Sequence, residues 1–329
     1  MKPSIYRSRF IKIKRVWGVN MGKLKKLWIT LGIIVGVVVI GGGGYVYHLY
    51  SSVKDTASKI YEPDKNEKHV SVASKSPKGN LKPLSILLMG VDQRPGDVGR
   101  SDTLMVMTLN PQTKETQMVS IPRDTRVAIP GKGIHKINAA YAYGGTSLAK
   151  DTVNQFLDVP VDYYIRINME GLVSLVDAVG GVDVNNDISW HDEGYYKKGF
   201  DYHKGMLHMN GAEALGFVRM RHLDPRGDFG RNKRQRDVIK AVVDKAMTLG
   251  GVSKFNDILG SVQGNVRTNL DFNDMTYIAE NYKDCRTNMN TYEMKGQGTT
   301  IGGVYYLVVN NQEKQRVHQM IMGQLKANG

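Results

Sequence analysis

The chain has 329 residues, 41% hydrophobic and 23% charged, with one cysteine and a formal net charge of +14. That composition belongs to a globular protein rather than a disordered one, and a single thiol excludes an internal disulfide framework. The charge is local: residues 1–26 hold nine Lys or Arg and no acid, and without them 36 basic residues face 31 acidic ones, too mild an excess for a body built to bind nucleic acid.

Directly after the basic arm, residues 27–47 carry no charge, and Ile33, Ile34, Val35, Val37, Val38, Val39 and Ile40 form their centre. Roughly 20 such residues are enough to cross a bilayer as a helix. Trp28 stands at one end and Tyr45, Tyr47 and Tyr50 at the other, where amphipathic rings prefer the interface. With the cations on the N-terminal side, the pattern predicts a cytoplasmic tail (1–26), a single-pass membrane anchor (27–50) and an extracellular body. Lysine and arginine beside the span also suit anionic membrane lipids. A cleaved signal peptide is the rival reading, but the apolar run is long for one and no small-x-small cleavage site follows.

Residues 51–82 are polar, rich in Lys, Ser, Asp and Pro, and show no apolar period, so they read as a tether. The folded body spans 83–329. Continuous apolar runs at 85–90, 104–109, 117–121 and 163–167 read as buried strands. Helical patterns fall at 146–157, 172–179, 212–218 and 238–247, then at 275–282 and 312–325, with edge strands near Tyr292 and at 305–309. Strands alternating with helices predict an α/β layered domain.

Three charged clusters sit where these elements end. Asp92 leaves the first strand and Asp102 enters the second. If the strands are neighbours, both carboxylates meet at one sheet edge, where open α/β sheets bind ligands. Two carboxylates with phosphate oxygens would suit Mg²⁺, although each Asp could equally cap a loop. Arg123 and Asp124 end the third run, and Lys136 follows at the head of an expected helix beginning Lys136-Ile-Asn-Ala-Ala-Tyr. Arg219 and Arg221 close another helix. Asp228 then opens a long one on which Arg231, Gln235, Val238 and Val242 fall within about 60° of one another. The core stripe is therefore continued toward the N-terminus by a guanidinium and an amide, whereas Lys233 and Arg236 point elsewhere and read as solvated. An inward Arg at that end opposes the helix dipole unless an anion is there. Either Asp228 or a bound phosphate could supply it. No Walker loop, Gly-x-Ser-x-Gly, His-Glu-x-x-His or Cys/His spacing is present, and the histidines show no zinc pattern.

Residues 83–249 resemble the LytR-CpsA-Psr family of cell-wall glycopolymer ligases. The resemblance is carried by Ile86-Leu-Leu-Met-Gly-Val-Asp92, Gly99-Arg-Ser-Asp-Thr-Leu-Met105, Val119-Ser-Ile-Pro-Arg-Asp124 and Lys136-Ile-Asn-Ala-Ala-Tyr141. It continues through Leu175-Val-Asp-Ala-Val-Gly-Gly-Val182, Glu213-Ala-Leu to Arg219-Met-Arg221, and Gly227-Asp228 to Arg231 and Arg234-Gln235. It implies a three-layer α/β/α domain with a central mixed sheet and an apolar slot for a polyprenyl tail. Carried over by motif, Asp92 and Asp102 would hold Mg²⁺. Arg100, Arg123, Lys136, Arg219, Arg221, Arg231 and Gln235 would bind the donor pyrophosphate, and Asp102, Arg100, Arg123, Arg219 and Arg221 would form the catalytic set. The implied activity is a phosphotransferase moving a glycopolymer, such as a teichoic acid or capsule, from a polyprenyl-pyrophosphate carrier to a muramic acid hydroxyl of peptidoglycan. Arg236 stands where Gln is more usual, and the loop between Asp92 and Asp102 is short. A lipid-pyrophosphate binding protein or hydrolase would use the same site. A DNA-binding regulator lacks any helix-turn-helix or zinc pattern here.

Overall fold

The computed structural model describes residues 51–52, 54–64, 69–92, 98–248 and 252–326. Its centre is a six-stranded mixed sheet. Strands β1 (Leu84–Val91), β2 (Ser101–Asn110) and β3 (Glu115–Ser120) form an antiparallel meander. On one side β6 (Tyr163–Asn168) runs parallel to β1, and β11 (Val266–Thr268) pairs antiparallel to β6 at the edge. On the other side β12 (Asn288–Glu293) runs parallel to β3. The runs are apolar throughout because both sheet faces are covered. In β1, Leu87, Met89 and Val91 enter one core, while Leu84, Ile86 and Leu88 enter another.

The first core is closed by α2 (Ala139–Leu157) through Ala149 and Val153, and by α8 (Asn311–Lys326) through Val317 and Ile321. Helix α2 is broken at Gly144 and Gly145, where Gly145 takes φ 66°, a conformation that suits glycine. The second core is closed by α7 (Phe272–Asn281) through Met275 and Ile278, and by Val72 of the short α1 (Val72–Lys75). Cys285 lies in this second core, 1% exposed, and burial pushes its thiol pKa up to about 12. The chain thus forms the layered α/β domain expected of it.

Between β6 and β11 the chain makes an excursion with a core of its own. It comprises α3 (Met169–Ala178), the β7 (Val182–Asn186)/β10 (Gly205–Met209) ribbon, the β8 (Trp190–His191)/β9 (Asp201–Tyr202) ribbon, α4 (Gly211–Arg219), α5 (Asp228–Thr248) and α6 (Val252–Val262). Trp190 stacks on Tyr202 with ring centroids 4.7 Å apart, and Phe217, Val238 and Val242 complete the cluster. Asn210 and Glu213 form a capping box that starts α4, which satisfies two otherwise unpaired amides.

Two expectations change. Lys136 does not head a helix. It ends β5 (Gly133–Lys136), which pairs with β4 (Arg126–Ile129), and α2 begins at Ala139 behind Asn138. The stretch 51–82 is also more than a spacer. Residues 54–60 are helical, and Ala57 and Ile60 are buried against Leu259 and Phe272. Asp64 accepts a hydrogen bond from Ser147 (2.7 Å) and pairs with the fully buried Lys150 (2.8 Å). Two apolar residues three apart make one helical face, too short a pattern to register as a period. Among the described residues no helix is long and apolar enough to cross a membrane; the expected span at 27–47 lies outside them.

Candidate functional site

The sheet order makes β1 and β2 neighbours, with Gly90 opposite Thr103 and Val91 opposite Ser101. Asp92 and Asp102 therefore stand at the same end of adjacent strands, and the Asp92 amide donates to the Arg100 carbonyl (3.2 Å) across that end. The register shifts between Gly90 and Val91, so Asp102 stands at an irregularity of the ladder with no paired residue across from it in β1. Arg123 reaches it from just beyond β3, its Nη1 donating to Asp102 Oδ1 at 2.9 Å.

The segment after Arg123 folds back through the β4/β5 ribbon. Ile137 donates to the Thr125 carbonyl (2.8 Å) and Asn138 to the Arg123 carbonyl (3.3 Å). That return brings Lys136 Nζ to 2.7 Å from Asp124 Oδ1. A fourth two-stranded ribbon, β13 (Gln297–Ile301) with β14 (Val304–Val308), docks here as well. The Leu307 amide donates to the Asp124 carbonyl at 2.9 Å.

Asp228, in the first turn of α5, is the centre of the cluster. Its carboxylate lies 2.8 Å from Arg221 Nε, 3.2 Å from Arg231 Nη2 and 3.4 Å from Arg123 Nε. Three guanidiniums thus converge on one carboxylate at the positive end of a helix. These pairs are close but poorly aligned. Arg231 Nε and Nη2, Arg123 Nε and Asp228 Oδ1 are buried with no hydrogen-bond partner among the described residues, as is Gln235 Oε1 one turn further along. Burial lowers the pKa of the Arg231 guanidinium, and the neighbouring Arg123 and Arg221 push the same way against the pull of Asp228 and Asp102. Burial also works against the charge on Arg123, but Asp102, Asp228 and Asp124 together carry its pKa above the ordinary value. Buried donors left without acceptors are costly, and here they lie beside the clustered guanidiniums of Arg123 and Arg221.

Asp102, Arg123, Lys136, Arg221 and Arg231 are thus joined through Asp124 and Asp228. Two other expected members stand differently. Arg219 lies over the Tyr195 ring at 5.6 Å, and Arg100 is exposed, tied through its carbonyl to Asp92. The reading of Arg236 as solvated is wrong. Arg236 is buried, donating from Nη1 to Ser120 Oγ at 2.8 Å and to Glu293 Oε2 at 3.2 Å. Asn232 holds the other oxygen of Glu293 at 2.7 Å. The partner comes from β12, 57 residues away in sequence, so no local pattern could announce it. Lys233 is half-buried between Asp187 and Asp237. Arg234 is structural too, held by Asp224, the Phe217 and Met220 carbonyls and the Trp190 face.

Two carboxylates at one strand end offer hard oxygen ligands of the kind Mg²⁺ takes. The guanidiniums beside them offer planar donors to phosphate oxygens. In residue type the set suits a divalent cation with a phosphorylated ligand.

Comparison with known proteins gives a consistent picture. Residues 47–322 match the model of the LytR_cpsA_psr family. Over 289 residues the chain is 46% identical to the polyisoprenyl-teichoic acid–peptidoglycan teichoic acid transferase TagU of Bacillus subtilis strain 168, covering 86% of this chain and 91% of that one. The crystal structure of B. subtilis TagU superposes with a TM-score of 0.62 at 40% identity, over 75% of this chain and 99% of that one. TagT bound to LI-WTA superposes with a TM-score of 0.66 at 29% identity, over 80% and 96%.

Proposed function

We propose, from the premise that this chain belongs to the LytR_cpsA_psr family and is a transferase, that it moves a teichoic acid or similar glycopolymer from a polyprenyl-pyrophosphate carrier onto peptidoglycan. The observation that carries this reading is the buried, incompletely bonded Arg231 beside Arg123 and Arg221 on the single carboxylate Asp228. Such a set of preorganised cations stabilises charge that grows on phosphate oxygens.

In the proposed reaction an acceptor hydroxyl oxygen, of the muramic acid 6-position, forms a bond to the phosphorus bearing the glycopolymer. The bridging P–O bond breaks, its electron pair leaves on polyprenyl phosphate, and the hydroxyl proton passes to solvent. Arg123, Arg221 and Arg231 hold the pyrophosphate oxygens, and Gln235 and Lys136 flank them. Asp92 and Asp102 would hold Mg²⁺, which when bound supplies further neutralisation of the leaving phosphate. Catalysis is then positioning and electrostatics, with no nucleotide, because the pyrophosphate already carries the driving energy. The reading includes a membrane anchor at 27–50 and an extracellular site, where carrier and wall are both at hand.

The decisive experiment supplies a synthetic lipid-linked donor and an oligomeric peptidoglycan acceptor. Acceptor-bound product that depends on Mg²⁺ is expected; free phosphosugar alone would replace the transferase reading with a hydrolase. Mass spectrometry of the purified chain should also find a bound prenyl lipid. Its absence even after addition of the lipid would count against the donor assignment.

A further inference from the structure

The β13/β14 ribbon docks beside the arginine cluster, and the proposed chemistry leaves it unused. Its two turn residues, Gly302 and Gly303, take φ 59° and 80°, the conformation of the tight turns that match strand twist. It is fixed at its base by the Leu307 amide to Asp124 and by the pairing of Thr125 with Leu307. Alternate residues of a strand face opposite ways, so Tyr305 and Val304 mark its two sides.

On one side Tyr305 is 49% exposed, with Lys136 Nζ 5.8 Å from its ring centre. Lys136 is itself bonded to Asp124, next to Arg123. The ring therefore stands at the rim of the phosphate site, one lysine away from it. Gly298 makes this posture possible, since a Cβ there would come within 2.7 Å of the Tyr305 hydroxyl. Thr300 lies directly across from Tyr305 and is exposed. A half-exposed ring with a threonine across from it and an ammonium over it is amphipathic. It is unsuited to a prenyl tail, which needs enclosure from water, and it adds no positive charge beyond Lys136 for phosphate. It suits a pyranose ring, whose C–H face rests on an aromatic surface while its hydroxyls reach polar neighbours.

Resting on the transferase reading above, we propose that Tyr305, with Thr300 and Lys136, is the platform that seats the glycan strand of the acceptor, next to the hydroxyl that attacks phosphorus. The ribbon thereby gives the acceptor a place beside the donor site, meeting it at Lys136, on an element that supplies no donor-binding residue of its own.

The test uses the full chain in detergent and a soluble GlcNAc–MurNAc tetrasaccharide as probe, with affinity measured by titration calorimetry. Tyr305→Ser should weaken saccharide binding about tenfold, the scale of one lost aromatic anchor. Tyr305→Leu, which keeps apolar area without a ring, should weaken it similarly, whereas Tyr305→Phe should stay near the parent. Val304→Ser, on the opposite side, should change nothing. A parent that does not bind the saccharide, or Ser and Leu variants that bind as well as the parent, overturns the proposal. So does an equal loss from Val304→Ser. Donor binding, measured on the same preparations, separates the two readings. A parent that binds saccharide but not lipid-linked donor sinks the reaction and keeps the platform; donor transfer indifferent to Tyr305 does the reverse.

Discussion

Helix α5 carries three buried arginines within six residues, and it treats them in opposite ways. Arg234, 3% exposed, is held by Asp224, two backbone carbonyls and an indole face. Arg236, 7% exposed, has Ser120 and Glu293. Arg231, 8% exposed, has only misaligned contact with a carboxylate that it shares with two other guanidiniums. Burial is nearly identical in the three, so burial alone does not distinguish architecture from chemistry. Completeness of hydrogen bonding does. A buried cation with partners in place is satisfied by the fold, whereas one left with idle donors still has them to offer to a ligand.

The comparison can be broken most sharply at Arg234. Asp224→Ala should leave that guanidinium buried and unpaired and cost about 3–5 kcal/mol of unfolding free energy, read from denaturant midpoints. Turnover per folded molecule should hold. Next in size, Arg231→Ala should cost about 3–4 kcal/mol of activation barrier, two to three decades in rate, with its unfolding midpoint near the parent value. A lowered midpoint with normal turnover would instead make Arg231 a helix-end brace for Asp228. Asp92→Ala and Asp102→Ala should match it in turnover and also lose Mg²⁺ dependence; normal turnover in both would end the metal assignment.

Arg236→Gln sits between the extremes. It restores the residue more usual in the resembling family, and its amide can still donate to Ser120 or Glu293. The cost should be about 1 kcal/mol of stability with transfer intact. The last effect is an acid one. Burial alone would raise the Asp224 pKa, but hydrogen bonds from Arg226 and Arg234 bring it down to about 2, against about 3.9 in an unfolded chain. Its contribution is therefore fully present above the unfolded value and is lost as pH falls through the folded one. Between pH 4 and 2 the parent should lose more stability than Asp224→Asn, as measured by thermal melts.

The sequence revealed the strands with both faces buried, because continuous apolar runs need no partner to be recognised. It also revealed the stripe from Arg231 through Gln235 to Val238, since helical spacing alone puts them on one side. What escaped depends on distant pairing. Arg236 looks solvated until β12 brings Glu293 to it. Lys136 looks like a helix start until β4 claims it as a strand end. Residues 182–209 suggested no element, because two-stranded ribbons such as β10, half exposed along its length, carry only a faint alternation. Asp228 was legible as an anion near Arg231, but its sharing with Arg123 and Arg221 requires three loops to meet.

Cys285 offers a use beyond its place in the second core. It is the chain's one thiol, and its burial with a pKa pushed up to about 12 leaves it protonated and shielded at neutral pH. Alkylation can therefore proceed only through openings of the layer beneath α7, so labelling rates time those openings in the intact, unmodified chain. The parent protein carries a native stopwatch for that layer. The same clock, run with and without lipid-linked donor, reports whether occupying the arginine cluster on one side of the molecule slows breathing on the other.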